Sequence, residues 1–261
     1  MSNSRHRPRR SLTTSPAIQT LCAEIERCNQ RGGRMLSIVD LIEAGTMTRE
    51  VTAYSLAAIG NGASFMVGAL PSGAGKTTVM GALLNFVPLS VSLVTADRRA
   101  VIEEGLADRT QRGCYVCHEI GAGDYYAYLW GEPLRRYFEL PAAGHMIATN
   151  LHADTLEQAR EQVCEDNGVQ LAALRRMNVI YFLAVERHRQ GAMRRIVTVW
   201  ESDGAEEHRQ VFANAHPAKP FDSRLASTAA IQTAARTVDR LMSAGVRQIQ
   251  DVRAILTADK P

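Results

Sequence analysis

Residues 64–69 form an apolar, strand-like run, residues 77–86 are helix-forming, and Gly73-Ala74-Gly75-Lys76-Thr77 stands between them. Few arrangements restrict a fold as tightly. Glycines in such a turn let consecutive backbone N–H groups face inward around a phosphate chain, and the helix start behind them adds positive potential. Lys76 is placed to reach the β- and γ-phosphates, and the Thr77 hydroxyl to hold Mg²⁺. Ser72, Gly73, Ala74, Gly75 and Thr78 complete the predicted cradle, and the implied ligands are ATP and Mg²⁺. Composition sharpens this expectation. The chain carries three lysines against twenty-seven arginines, and one of the three is in this loop. A compact ammonium fits among phosphate oxygens where a guanidinium fork does not. The full loop pattern opens with glycine five residues before Gly75; here that position is Leu70.

A chain of 261 residues suits one α/β domain with a small appendage. The net charge is +3, but Arg5, Arg7, Arg9 and Arg10 sit together in a tail and leave the rest at −1. That balance, with no basic stripe interleaved with aromatics, speaks against a nucleic-acid partner. The tail, 1–14, reads as solvated and disordered. Arg9-Arg10 resembles the start of an export signal, yet 17–30 carries Glu24, Glu26 and Arg27 and has no apolar core. No stretch approaches the length of a membrane span. Five cysteines, an odd number, read as reduced thiols, so the expected location is cytoplasmic.

Ser15-Pro16 predicts a helix start, followed by apolar residues at helical spacing from Ile18 to Cys28. Ser37 and Asp40 are spaced as a capping box for a helix over 37–44, and a third helix is expected over 48–59. Residues 15–62 therefore read as a helical lead-in. From residue 64 short β-rich runs alternate with helices, the pattern of a mostly parallel sheet. Strands are expected at 65–68, 91–95, 114–118, 145–149 and 179–186, with edge strands at 195–200 and 210–213. The core is bounded at 63–215, and 216–261 reads as a C-terminal segment, helical over 222–257 and broken at Gly245.

A phosphate loop needs a carboxylate at the end of a neighbouring strand. Cys114-Tyr115-Val116-Cys117-His118-Glu119 is an apolar run ending in an acid, and Glu119 lies forty-three residues after Lys76. In a doubly wound sheet such a strand end meets the nucleotide. The same run spells C-x-x-C-H, a haem-attachment or zinc pattern, but a buried central strand suits neither, and no second Cys/His pair completes a zinc set. A third cluster is Gly144-His145-Met146-Ile147-Ala148-Thr149-Asn150-Leu151-His152. Thr149, Asn150 and His152 emerge from an apolar strand, where an Asn or His can orient water beside a γ-phosphate.

Together these elements resemble the hexameric ATPases of type II and type IV secretion, including pilus motors. In that family the phosphate loop precedes a strand ending in Gly-Glu and a box of the form Gly-His-(apolar)₃-Ser-Thr-Leu-His. Gly144, His145, Leu151 and His152 match the box at the same spacing, and Val94-Thr95-Ala96-Asp97 stands where the family carries Thr-Ile-Glu-Asp. His118 replaces the glycine before the acid, and Asn150 replaces threonine. The resemblance implies a RecA-like P-loop NTPase core with a small helical lead-in and a helical C-terminus. It implies ATP hydrolysis with Glu119 positioning the attacking water, Asp97 as auxiliary carboxylate and His152 as reporter of hydrolysis. It further implies a homo-hexamer at the cytoplasmic face of the membrane, serving an inner-membrane platform protein. An arginine from a neighbouring subunit would act in trans, with Arg98, Arg99, Arg109 and Arg112 as candidates. Two alternatives stay open: a non-catalytic nucleotide-binding partner of such a motor, and an unrelated P-loop enzyme acting on nucleic acid.

Overall fold

The computed structural model describes residues 15–29, 32–189, 191–214 and 221–258. The tail expected to be disordered, 1–14, lies outside them. Helix α1 (Pro16–Arg27) begins at Ser15, whose Oγ accepts from the Ile18 N–H at 3.4 Å, and buries Ile18, Leu21, Cys22 and Ile25 on one stripe. Helix α2 (Ile38–Glu43) has the capping box: Ser37 N–H donates to Asp40 Oδ2 at 2.7 Å, and Asp40 N–H to Ser37 Oγ at 3.4 Å. Burial pushes the Asp40 carboxyl upward, but hydrogen bonds from Arg34 and Arg247 outweigh it and hold the group well below the usual carboxylate range. Helix α3 (Arg49–Gly60) closes the lead-in.

The core then alternates: β1 (Phe65–Gly68), α4 (Lys76–Leu84), β2 (Ser92–Thr95), α5 (Arg99–Ala107), β3 (Gly113–Ile120), β4 (Tyr128–Leu129), α6 (Glu132–Tyr137), β5 (Met146–Leu151), α7 (Leu156–Arg160), α8 (Leu171–Leu174) and β6 (Val179–His188). Strands β7 (Gly191–Glu201) and β8 (Arg209–Ala213) follow, then helices α9 (Thr228–Ala244) and α10 (Ile249–Ala258). Among the described residues eight strands make one sheet in the order β2-β3-β5-β1-β6-β7-β8, with β4 paired to β3. Every pair from β2 to β6 is parallel; β7 and β8 add antiparallel at the far edge. The loop-bearing β1 lies between β5 and β6, with the acid-bearing β3 one strand further out. This is a RecA-like α/β arrangement.

Strand alternation divides the interior into two layers. Phe65 and Val67 face a core built with α1–α4 and the C-terminal helices, whereas Met66 faces a second core built with α5–α8. The lead-in and the C-terminal helices thus share one core with the phosphate-loop helix. No described helix is long and apolar enough to cross a membrane.

β7 runs 191–201 rather than 195–200 and, paired with both β6 and β8, is not an edge strand; three further elements depart from expectation. β5 runs 146–151 rather than 145–149; at its start the His145 N–H donates back to Leu140 O at 3.1 Å, in the turn ahead of the strand. The C-terminal helix starts at Thr228 rather than near 222. Ahead of it the buried Glu201 carboxylate accepts from Ser223 Oγ at 2.7 Å and Arg224 N–H at 2.9 Å, which holds that stretch in a turn. β4 has two residues, too few to leave a periodic signal.

Candidate nucleotide site

The turn after β1 is set by two glycines with positive φ, Gly73 at 79° and Gly75 at 94°, a region costly to other residues. Gly75 caps α4, so the first-turn N–H groups of that helix have no partner within the helix and face outward. Leu70 does not need to be glycine: its φ is not positive, its side chain is 47% exposed, and its N–H donates to Asp154 Oδ1 at 2.7 Å. A cavity of about 160 Å³ sits over the turn, lined by Ser72, Gly73, Ala74, Gly75, Lys76, Thr77 and Thr78 together with Asn29, Met35, Glu119, Tyr128 and His152.

Three polar side chains converge there from three elements. Lys76 opens α4, Glu119 comes from the end of β3, and His152 follows β5. The Lys76 ammonium donates to Ala69 O at 3.1 Å, lies 3.2 Å from Glu119 Oε1 and 3.3 Å from His152 Nδ1. His152 Nε2 is 3.3 Å from the same carboxylate oxygen. His152 Nδ1 also lies 3.2 Å from Leu70 O, so that ring nitrogen stands between a donor and an acceptor. Both Lys76 and Glu119 are buried, so their attraction is weakly screened.

Other residues of the same motifs act at a distance. Asn150 is fully buried, and its Nδ2 donates to His118 O at 2.7 Å, holding the backbone just ahead of Glu119. Thr149 is buried and donates to Asn150 O. His118 packs edge-on against Tyr126, and burial pulls its ring below the ordinary histidine value. Cys114 and Cys117 are fully buried in β3, where loss of water raises both thiols, Cys117 to about 12. Asp97, at the end of β2, does not line the cavity; β3 lies between β2 and the rest of the sheet, and its ion pair is with Arg98 at 3.6 Å. Arg98, Arg99, Arg109 and Arg112 are exposed and line no part of the cavity. Arg99 pairs with Glu103 and Glu132, and Arg112 donates to Gly62 O.

Sequence reasoning missed Tyr128, Asn29, Met35 and Arg194. The arginine that does touch the loop is Arg194 on β7, whose Nε donates to Gly73 O at 3.1 Å. Nothing local distinguishes it from the other arginines. Tyr128 had a usable signal, since it lies in the aromatic run Tyr125-Tyr126-Ala127-Tyr128 shortly after the acid.

No protein-family model matches the chain, and no curated protein matches it. Solved structures do. The VirB11 ATPase of the Brucella suis type IV secretion system, in complex with sulphate, is 20% identical over 76% of this chain and 59% of that one, with a TM-score of 0.45. The solved structures it resembles are ATPases. The ATPase DotB of Yersinia pseudotuberculosis is 14% identical over 83% of this chain and 62% of that one (TM-score 0.45). DotB of Legionella pneumophila is 11% identical over 77% and 58% (TM-score 0.40). The chain thus spans about three fifths of the length of the structures it matches.

Proposed function

We propose that this chain binds Mg-ATP in the cavity over Gly73–Thr77 and hydrolyses it, as a cytoplasmic motor ATPase of a secretion or pilus-like machine. What carries the reading is the meeting of Lys76, Glu119 and His152 within 3.3 Å of one another at a helix start. The turn supplies inward N–H groups and the helix end favours anions. Lys76 exchanges Glu119 for the β- and γ-phosphates, which releases the carboxylate to hold a water in line with the γ-phosphorus and to receive its proton. His152, in contact with both groups, moves when their partners change. The donor set suits a hard cation: Thr77 and Thr78 line the cavity beside Glu119. The Thr77 hydroxyl would hold magnesium, which would supply charge neutralisation at the phosphate oxygens.

The finer proposal is a homo-hexamer at the membrane's cytoplasmic face, engaging an inner-membrane platform protein. The four exposed arginines are free of the chain's own cavity, as a residue acting in trans must be. A second reading, a non-catalytic nucleotide-binding subunit, is favoured by the position of Asp97, which leaves Glu119 as the sole carboxylate among the lining residues.

Glu119→Gln tests the two. Removing the charge while keeping the shape is expected to preserve Mg-ATP binding by calorimetry and lower steady-state turnover by about 10³-fold. Normal turnover in the variant would remove Glu119 from its role. Wild-type protein that binds Mg-ATP but turns over none at any protein concentration favours the second reading, and stimulation by DNA or RNA would point to nucleic acid instead.

A further inference from the structure

The phosphate loop is braced from two sides, and only one brace belongs to the motifs read from the sequence. On the β5 side, Asp154 holds the Leu70 N–H. On the other side stands the β6–β7 hairpin. β6 pairs with β1 only as far as Phe182, opposite Gly68, and then continues past the end of β1. Arg194 pairs with Val185, three residues further on. It therefore stands about 10 Å beyond the last residue of β1, level with the loop itself.

Its contacts are specific. Arg194 Nε donates to Gly73 O at 3.1 Å, and Nη1 is 3.4 Å from Ala192 O on its own strand. The stem lies against Gly75, where an added Cβ would come within 3.2 Å of Arg194 Cδ. The N–H at the other end of the Gly73–Ala74 peptide donates to Pro71 O at 3.2 Å. That peptide is thus held at both ends, its carbonyl by Arg194 and its N–H by Pro71. With the plane fixed, the following N–H groups at Gly75, Lys76 and Thr77 have little freedom to turn away from the cavity. Gly73 on its carbonyl side leaves this peptide prone to flip without such a hold.

We infer that Arg194 is a positioning residue acting within its own chain: it fixes the Gly73–Ala74 peptide so that the loop stays in its phosphate-accepting form. The effect on phosphate affinity rests on the nucleotide-binding reading above; the ordering of the loop does not. Arg194 acts through Nε, not through its net charge, and that distinction is testable. Glutamine places an amide N–H as many bonds from the backbone as arginine Nε, without the charge. Methionine keeps the stem without a donor. Lysine keeps the charge but sets it one bond further out.

The experiment compares Arg194→Met, Arg194→Gln and Arg194→Lys with wild type by two readouts: calorimetric affinity for inorganic triphosphate with Mg²⁺, and amide hydrogen exchange of the loop in protein without nucleotide. Arg194→Met is expected to weaken triphosphate binding about tenfold, and to speed exchange at the Ala74 amide by a similar factor, with the hairpin amides still protected. Arg194→Gln is expected to restore both to within about threefold. Rescue by lysine and not by glutamine would overturn the inference in favour of bulk charge. So would unchanged loop exchange in Arg194→Met, or loss of hairpin protection along with the loop's. If wild type binds no triphosphate, the proposed function fails, while loop exchange still decides the role of Arg194.

Discussion

Two histidines that belong to one sequence motif end up at opposite ends of the same strand. His145 precedes β5 and His152 follows it, and the six strand residues between them set them about 23 Å apart. His152 lies between Lys76 and Glu119 at the cavity. His145 is buried at the other edge of the sheet, its Nδ1 accepting from Gly113 N–H at 3.1 Å and its Nε2 donating to Gly105 O at 2.8 Å. It also meets Tyr115 edge-on. The first histidine ties α5 to the start of β3, and the second touches the groups that meet at the far end. A motif can therefore be one unit in sequence and two in chemistry. The strand between them transmits register: His145 fixes where β3 begins, and Asn150 fixes the carbonyl before Glu119, where β3 delivers its acid.

The largest expected effect falls at the cavity end. Lys76→Ala removes charge-assisted contacts to phosphate and is expected to weaken Mg-ATP binding about 10³-fold by calorimetry. Unchanged affinity would break the contrast, because the cavity end would then have no more chemistry than the anchor end. His145→Ala should show the converse. Two buried backbone groups lose their partners, so the protein is expected to lose about 2 kcal/mol of stability in denaturant titrations, while Mg-ATP affinity of the folded fraction stays within about threefold. A large loss of affinity without loss of stability would show that the anchor end takes part in binding. The smallest effect is expected at Asp97. Asp97→Asn lies outside the cavity and should change turnover by less than about twofold. A loss as large as that of Glu119→Gln would mean that the end of β2 closes on the cavity during the reaction.

These contrasts also explain what could be read in advance. The strand, turn and helix around Gly73–Thr77 were legible because they are consecutive and each has its own local signal. Glu119 was legible because an apolar run that stops on an acid marks a strand end. Asp97 carries the same signal at the end of β2, and sequence alone could not tell that β3 stands between it and the loop strand. That order is a property of the whole sheet. His145 and His152 looked alike for a related reason: spacing along a strand says which residues share it, not which end faces a ligand. Arg194 had no signal at all. Its position depends on how far β6 overshoots β1, and on a hairpin that comes back level with the loop.

The internal pairing of Lys76 has a further consequence for how a ligand must enter. The ammonium has a carboxylate at 3.2 Å, so the charge of the cavity's lysine is compensated within the chain. A polyphosphate arriving there is a rival anion: it must win the lysine from Glu119 and leave that carboxylate facing it across a small, poorly hydrated space. The helix start alone offers about half a positive charge. On the proposed reading, a nucleotide that brings a divalent counter-charge is therefore favoured over one that does not.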